Sequence, residues 1–280
     1  MKNAIIIPNY LKTSSLEFSS VADRLLKSNG YETVVLGENE KYNGTADFAI
    51  VLGGDGTIIR ASKQLYGTDI PVIGINFGHI GYLTECGPDD ALDAINQIVN
   101  GKHKIESRLM VCAEIIREGK EVASFIALNE ASLYRATLMK AFKMEIYING
   151  KLTNTVLGDG LIVSTPTGST SYNLSAGGPI LTPTANNMVI TQIAPIYFPG
   201  SPLVTAGDDE IEIRIKIDNI TKKGNVAIEF DGSERFDIED GDIIKIKRAG
   251  HYAKIIKVTD RSFYQLLREK LSKANYENSR

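Results

Sequence analysis

The chain has 280 residues, 43% hydrophobic and 23% charged, with 31 basic against 34 acidic side chains and a formal net charge of −3. That length exceeds one ordinary hydrophobic core, so two domains of roughly 100–150 residues are expected, and the balance lacks the Lys and Arg surplus that a nucleic-acid partner demands. The two cysteines, Cys86 and Cys112, form neither a CxxC pair nor a cluster with histidine, which speaks against a zinc site or a disulfide framework and fits a reducing, cytoplasmic setting.

In chain order, the first hundred residues alternate β-rich and helical stretches. Ala4–Ile7 is a short apolar strand stopped by Pro8, too brief for a signal-peptide core of about 7–15 residues. Phe18, Val21 and Leu25 recur at helical spacing, Val34–Leu36, Phe48–Leu52 and Val72–Ile75 read as strands, and Asp89–Val99 reads as a helix stopped by Asn100 and Gly101. Such alternation predicts an α/β domain with a parallel sheet over residues 1–101. From residue 102 the texture changes to β-branched runs joined by turn signals, EGKE at 118–121, NGK at 149–151 and DG at 231–232 and 240–241. That pattern predicts a mostly antiparallel, all-β domain over 102–260. Phe263, Leu266, Leu267 and Leu271 give an amphipathic C-terminal helix within 261–280, expected to pack back on the α/β domain and to end in the polar tail ANYENSR. No segment reaches the ~20 apolar residues that a bilayer crossing needs, so neither export nor a membrane partner is expected.

The strongest local signal is FAIVLGGDGT at 48–57, a buried strand that runs into a turn of Gly53, Gly54 and Gly56 around Asp55. Glycines let the backbone approach a phosphate and turn N–H donors toward it, and a helix starting at Thr57 adds its positive end. Neither a GK[ST] loop nor a GxGxxG fingerprint is present. The chemistry therefore rests on Asp55, a carboxylate able to take the proton of an alcohol attacking a γ-phosphate; the competing reading is a plain DG turn.

A second cluster, GDGLIVSTPTGSTSYNLSAGGPI at 158–180, is dense in small hydrogen-bonding side chains, with Tyr172 as its one large ring. Asp159, just before the strand Leu161–Ser164, suits a ribose or an amide, or simply a turn. Asn129 and Glu130 follow the apolar run Phe125–Leu128. Neighbours on a strand face opposite ways, so both reach one ligand only if the strand ends there; taken alone, the pair reads as solvent-exposed.

The order of GGDGT at 53–57, GINFGHIGYL at 74–83, NE at 129–130 and the block at 158–180 closely resembles the ATP-dependent NAD kinase family, over most of the chain. The resemblance implies transfer of the γ-phosphoryl group of ATP to the 2′-hydroxyl of the adenosine ribose of NAD, with Mg²⁺ accompanying ATP and a homodimer or homotetramer as the assembly. Residue by residue, Asp55 resembles the family's proton acceptor, with Gly56 beside it at the substrate. Asn129 and Glu130 resemble the pair that holds the ribose, and Asp159, Thr170, Ser171, Tyr172 and Ser175 resemble the wall of the NAD pocket, Ser171 standing where most members carry alanine. Arg60 and Lys140 lie where the family places basic contacts, with solvated surface charge as the alternative, and Ala194 ends the strand Met188–Ile193 where the family lines the adenine pocket. In PIYFPGSPLV at 195–204, Ile196 and Ser201 depart from the family's His and Arg. His79 and Tyr82 stay outside the expected catalytic set. Lipid kinases of the diacylglycerol or sphingosine type share the GGDGT turn, and a non-catalytic NAD sensor is the second alternative.

Overall fold

A computed structural model describes residues 2–78, 81–137, 141–196, 200–217 and 225–277. The chain divides into two compact units, Met1–Ser107 with Ala253–Arg280, and Arg108–Tyr252.

The first unit is built on a six-stranded sheet in the order Tyr31–Val35, Lys2–Pro8, Phe48–Leu52, Val72–Ile75, Ala253–Lys257, Lys104–Arg108. The first five strands pair in parallel. Every residue of Phe48–Leu52 is buried, as a strand covered on both faces requires. Helices Thr13–Ser28 and Ala91–Val99 turn Ala22, Leu26, Ala94, Ile95 and Ile98 onto Ile6, Ile50, Ile73 and Ile75 of the sheet. From Lys2–Pro8 the chain steps outward to Tyr31–Val35, then crosses to Phe48–Leu52 on the other side. That reversal leaves a crevice beyond the C-terminal ends of two neighbouring strands, the place where open α/β sheets take ligands. Asn9 and the Gly53–Asp55 turn leave the sheet there, joined by the Asn9 N–H to Leu52 O bond of 2.9 Å.

Residues 253–260 carry the strand Ala253–Lys257, which lies in the parallel sheet between Val72–Ile75 and Lys104–Arg108, although their sequence texture continues that of the β-rich region before them. The helix Phe263–Glu277 packs back on this unit as expected: the Phe263 ring lies 6.4 Å from that of Tyr82, and Leu266 is buried.

The second unit holds two antiparallel six-stranded sheets. One runs Lys151–Gly158, Phe142–Ile148, Ile211–Lys216, Ile243–Arg248, Val111–Arg117, Lys120–Ala127; the other runs Leu203–Ala206, Asn187–Ile193, Gly160–Ser164, Glu130–Arg135, Val226–Phe230, Glu234–Ile238. Burial alternates along Val111–Arg117, Phe142–Ile148 and Ile211–Lys216, the mark of a sheet with one face on the core. Gly160–Ser164 is buried throughout. Three of the four predicted turns form hairpins with left-handed backbone at both central residues: φ 50° and 76° at Glu118–Gly119, 50° and 75° at Asn149–Gly150, 53° and 64° at Asp231–Gly232; at Asp240–Gly241 only the glycine is left-handed, φ 81°, and the turn joins strands of different sheets. No described helix is long and apolar enough to cross a membrane.

Candidate active site

In the first unit the helix after Phe48–Leu52 begins at Asp55 rather than Thr57 and runs to Gln64, with Gly54 as an extended N-terminal residue and no side-chain cap. Asp55 thus sits in the first turn of a ten-residue helix, where the peptide dipoles favour negative charge. Its carboxylate is already oriented: Oδ2 accepts the N–H of Tyr82 at 2.7 Å and Oδ1 that of Leu83 at 3.0 Å. Gly81 makes this approach possible, because a Cβ there would overlap the Asp55 carboxyl group. The Gly81 N–H in turn donates to Thr84 Oγ1 at 2.7 Å. Burial, and after it the negative charge of Asp55, pushes the Tyr82 phenol above its usual range. Gly56 is exposed, and a side chain there would meet nothing described within 4 Å, so the turn offers bare backbone to a ligand. Gly53 is fixed by its N–H to Ile75 O at 2.8 Å and leaves no room for a Cβ against Thr57.

In the second unit Asn129 lies in a bend and Glu130 opens the strand Glu130–Arg135, so the pair sits at the strand end that a shared ligand requires. Glu130 is only 6% exposed and Asn129 is half-buried, and the chain at 165–168 folds over Asn129. Thr165 N–H donates to Asn129 O at 2.8 Å, and Gly168 packs so tightly on the Asn129 carbonyl that a Cβ would overlap it. Ser171 donates to Glu130 Oε1 at 3.3 Å. Burial first, then the charge of Asp231, pushes the Glu130 carboxyl up to about 8, against the opposing pull of the Ser171 bond. Three oxygens of this region, Glu130 Oε2, Asn129 Oδ1 and Thr167 Oγ1, are buried without a described protein partner.

The segment carrying Thr170, Ser171, Tyr172 and Ser175 forms a short 3₁₀ turn, Gly168–Thr170, and one helical turn, Tyr172–Ser175. Tyr172 is 41% exposed. Asn173, fully buried, braces the segment: its amide donates to Ser169 O and Pro179 O, both at 3.1 Å, and accepts from Thr191 Oγ1 at 2.7 Å. Asp159 Oδ2 accepts from Arg135 Nη2 at 2.8 Å, and its N–H donates to Ile193 O. Ala194 follows directly with φ 42°.

Residues 5–103 match the ATP-NAD kinase N-terminal domain, and residues 128–258 match the ATP-NAD kinase C-terminal domain. The chain belongs to the NAD kinase family. The NAD kinase of Natranaerobius thermophilus is 33% identical over 285 residues, covering 97% of this chain and 98% of its own length; that of Caldanaerobacter subterraneus subsp. tengcongensis is 36% identical, covering 97% and 99%. The yeast NADH kinase solved with NADH superposes with a TM-score of 0.86 at 21% identity over 97% of this chain and 88% of its own. An NAD kinase from Archaeoglobus fulgidus solved with ATP gives 0.77 at 24%, over 97% and 99%. At such identities these structures speak for the fold.

Within this NAD kinase framework, Asp55, Gly56 and Arg60 lie in the first unit, and Asn129, Glu130, Asp159, Thr170, Ser171, Tyr172, Ser175 and Ala194 in the second. Arg60 is engaged locally, Nη1 donating to Glu38 Oε1 at 2.5 Å and Nη2 to Pro8 O at 3.2 Å. Lys140 and His79 lie outside the described residues. Sequence reasoning missed Thr167, Asn173 and Asp231. Thr167 and Asn173 stand inside the 158–180 block, where only their packing separates them from neighbours; Asp231 is visible solely as half of a turn pair.

Proposed function

We propose that the chain is an ATP-dependent NAD kinase, moving the γ-phosphoryl group of ATP onto the 2′-hydroxyl of the adenosine ribose of NAD to give NADP and ADP. The observation that carries this reading is Asp55, a carboxylate in the first turn of a helix, behind a bare glycine turn, at the reversal point of an open α/β sheet. The ribose oxygen attacks the γ-phosphorus while its O–H bond breaks and the proton passes to Asp55. The bond from that phosphorus to the β,γ-bridging oxygen breaks, and its electrons leave on ADP. Each carboxylate oxygen keeps a second lone pair beyond the one given to Tyr82 or Leu83 N–H, so Asp55 accepts the proton without releasing its tethers.

Asn129, Glu130, Asp159, Thr170, Ser171, Tyr172, Ser175 and Ala194 are assigned to the NAD. The buried oxygens of Asn129, Glu130 and Thr167 support this, since ribose hydroxyls both donate and accept. Arg60 and Lys140 are assigned to phosphate. No three His, Cys, Asp or Glu side chains gather into a metal site among the described residues; a magnesium ion would be held chiefly by the oxygens of the bound triphosphate and would neutralise charge on the transferring group, leaving Asp55 as the proton acceptor. The family resemblance supports a homodimer or homotetramer, and two free cysteines fit a cytoplasmic setting.

The test is NADP formation from NAD with ATP, run beside phosphate transfer to diacylglycerol micelles. Turnover of NAD is expected, and Asp55→Asn should lower kcat by about 10²–10⁴ while keeping the KM for NAD. Transfer to the lipid alone, NAD binding without NADP formation, or parental turnover in the variant would each overturn a stated part of the reading: substrate, activity or base.

A further inference from the structure

We propose that Asp231 is the positioning residue of the Asn129–Glu130 pair, setting where both side chains meet the substrate. The proposal rests on the reading that this pair holds NAD. As half of a hairpin turn, position 231 requires only a left-handed backbone, φ 53°, which glycine or asparagine adopts at least as readily as aspartate. The turn therefore does not explain the carboxylate.

The carboxylate reaches back onto the pair. Oδ2 accepts the N–H of Leu128 at 3.0 Å, and Oδ1 accepts those of Asn129 at 2.7 Å and Glu130 at 3.2 Å. The Asp231 N–H completes the clasp by donating to Glu130 O at 3.1 Å. Three successive peptide N–H groups on one anion fix the peptide planes on both sides of Asn129, and with them the directions in which the Asn129 and Glu130 side chains leave the backbone. Charge-assisted bonds of this kind are about twice as strong as neutral ones. On the other side Gly168 presses against the Asn129 carbonyl, so the bend is held from two directions.

Asp231 also acts on the proton of Glu130. Its charge adds to burial in raising the Glu130 carboxyl. Ser171 opposes it as a donor, while Ser164, paired opposite Glu130, spends its hydroxyl on the Asn129 and Thr165 carbonyls. A residue that merely closed a hairpin would leave that proton unaffected.

The experiment compares full-length Asp231→Gly, which keeps the turn and removes the carboxylate, with Asp231→Asn, which keeps an acceptor oxygen and removes the charge, and with Glu130→Gln as reference. In Asp231→Gly the KM for NAD should rise roughly tenfold, with kcat and the KM for ATP within about twofold. In Asp231→Asn the pH at which the KM for NAD changes should move down. A parental KM for NAD and an unmoved pH transition, beside a raised KM in Glu130→Gln, would overturn the role of Asp231. Uniform loss across kcat and both KM values with a lowered Tm would overturn it as well, by reducing Asp231 to a fold determinant. A parental KM for NAD in Glu130→Gln would sink the assignment of the pair to NAD, and this proposal with it.

Discussion

A single carboxyl group shows how burial turns into a measurable pH dependence. Glu130 keeps its proton to about 8 in the folded protein, well above its ordinary value of 4.5, because it is buried and lies beside Asp231. Its folded-state value is raised, so the stability it contributes is fully present below the unfolded value and is lost as pH rises through the folded one. Glu130→Gln carries no such proton. The variant should therefore gain stability relative to the parent as pH rises from 4.5 to 8, by on the order of a few kcal/mol. Denaturant titrations of both proteins at several pH values test this, since other groups cancel in the difference, and parallel curves would show that Glu130 ionises freely. Its neighbour Asp231 gave no such signal in the sequence, where a DG pair promises a turn and nothing about the direction of the carboxylate.

At the scale of elements, the segment 165–181 depends on one amide for its shape. Asn173 spans the segment between Ser169 O and Pro179 O and anchors it to the sheet through Thr191. Gly178 packs against its side chain so closely that a Cβ would overlap it. Replacing Asn173 by alanine strands two carbonyls and a hydroxyl, at about 1–3 kcal/mol for each group left unsatisfied. The Tm should fall, and the KM for NAD should rise while kcat at saturating NAD is largely kept; a lowered Tm with an unaltered KM would detach this segment from the NAD wall. Much of this scale was legible beforehand. The strand into GGDGT, the alternation of the β-rich unit and its left-handed turn pairs follow from local rules of period and backbone freedom. What escaped were relations between distant residues: that the Gly81–Leu83 backbone holds Asp55, that Glu130 is buried and bonded by Ser171, and that Asn173 is the brace among several similar polar neighbours.

For the whole molecule the decisive feature is the return of the chain. Local composition cannot say which sheet the strand Ala253–Lys257 will join, because its β-branched residues suit either one; tertiary partners decide. The chief partner is Glu85, whose side chain is 1% exposed. It receives Lys257 in an ion pair, with the Val258 N–H at 2.9 Å and the Thr259 N–H and hydroxyl both at 2.7 Å. Glu85 is itself fixed by its N–H to Gly74 O at 2.8 Å, one residue beyond Thr84, which holds Gly81 at the Asp55 tether. The parallel sheet thus closes only when residues 253–259 arrive, and the same contact steadies the loop that orients Asp55. Removing one partner of a buried pair leaves an uncompensated charge and costs about 3–5 kcal/mol, and with Lys257 19% exposed the lower end applies. Glu85→Ala should therefore destabilise the protein by about 3 kcal/mol and lower kcat more than it raises either KM, since Asp55 is loosened while the assigned NAD residues are untouched. Glu85→Gln, which still offers an oxygen to the Val258 and Thr259 N–H groups, should recover part of both losses. Equal stability in all three proteins, measured by denaturant titration beside steady-state kinetics, would mean that the strand's own pairing and apolar burial hold the return, and that Glu85 adds nothing to it.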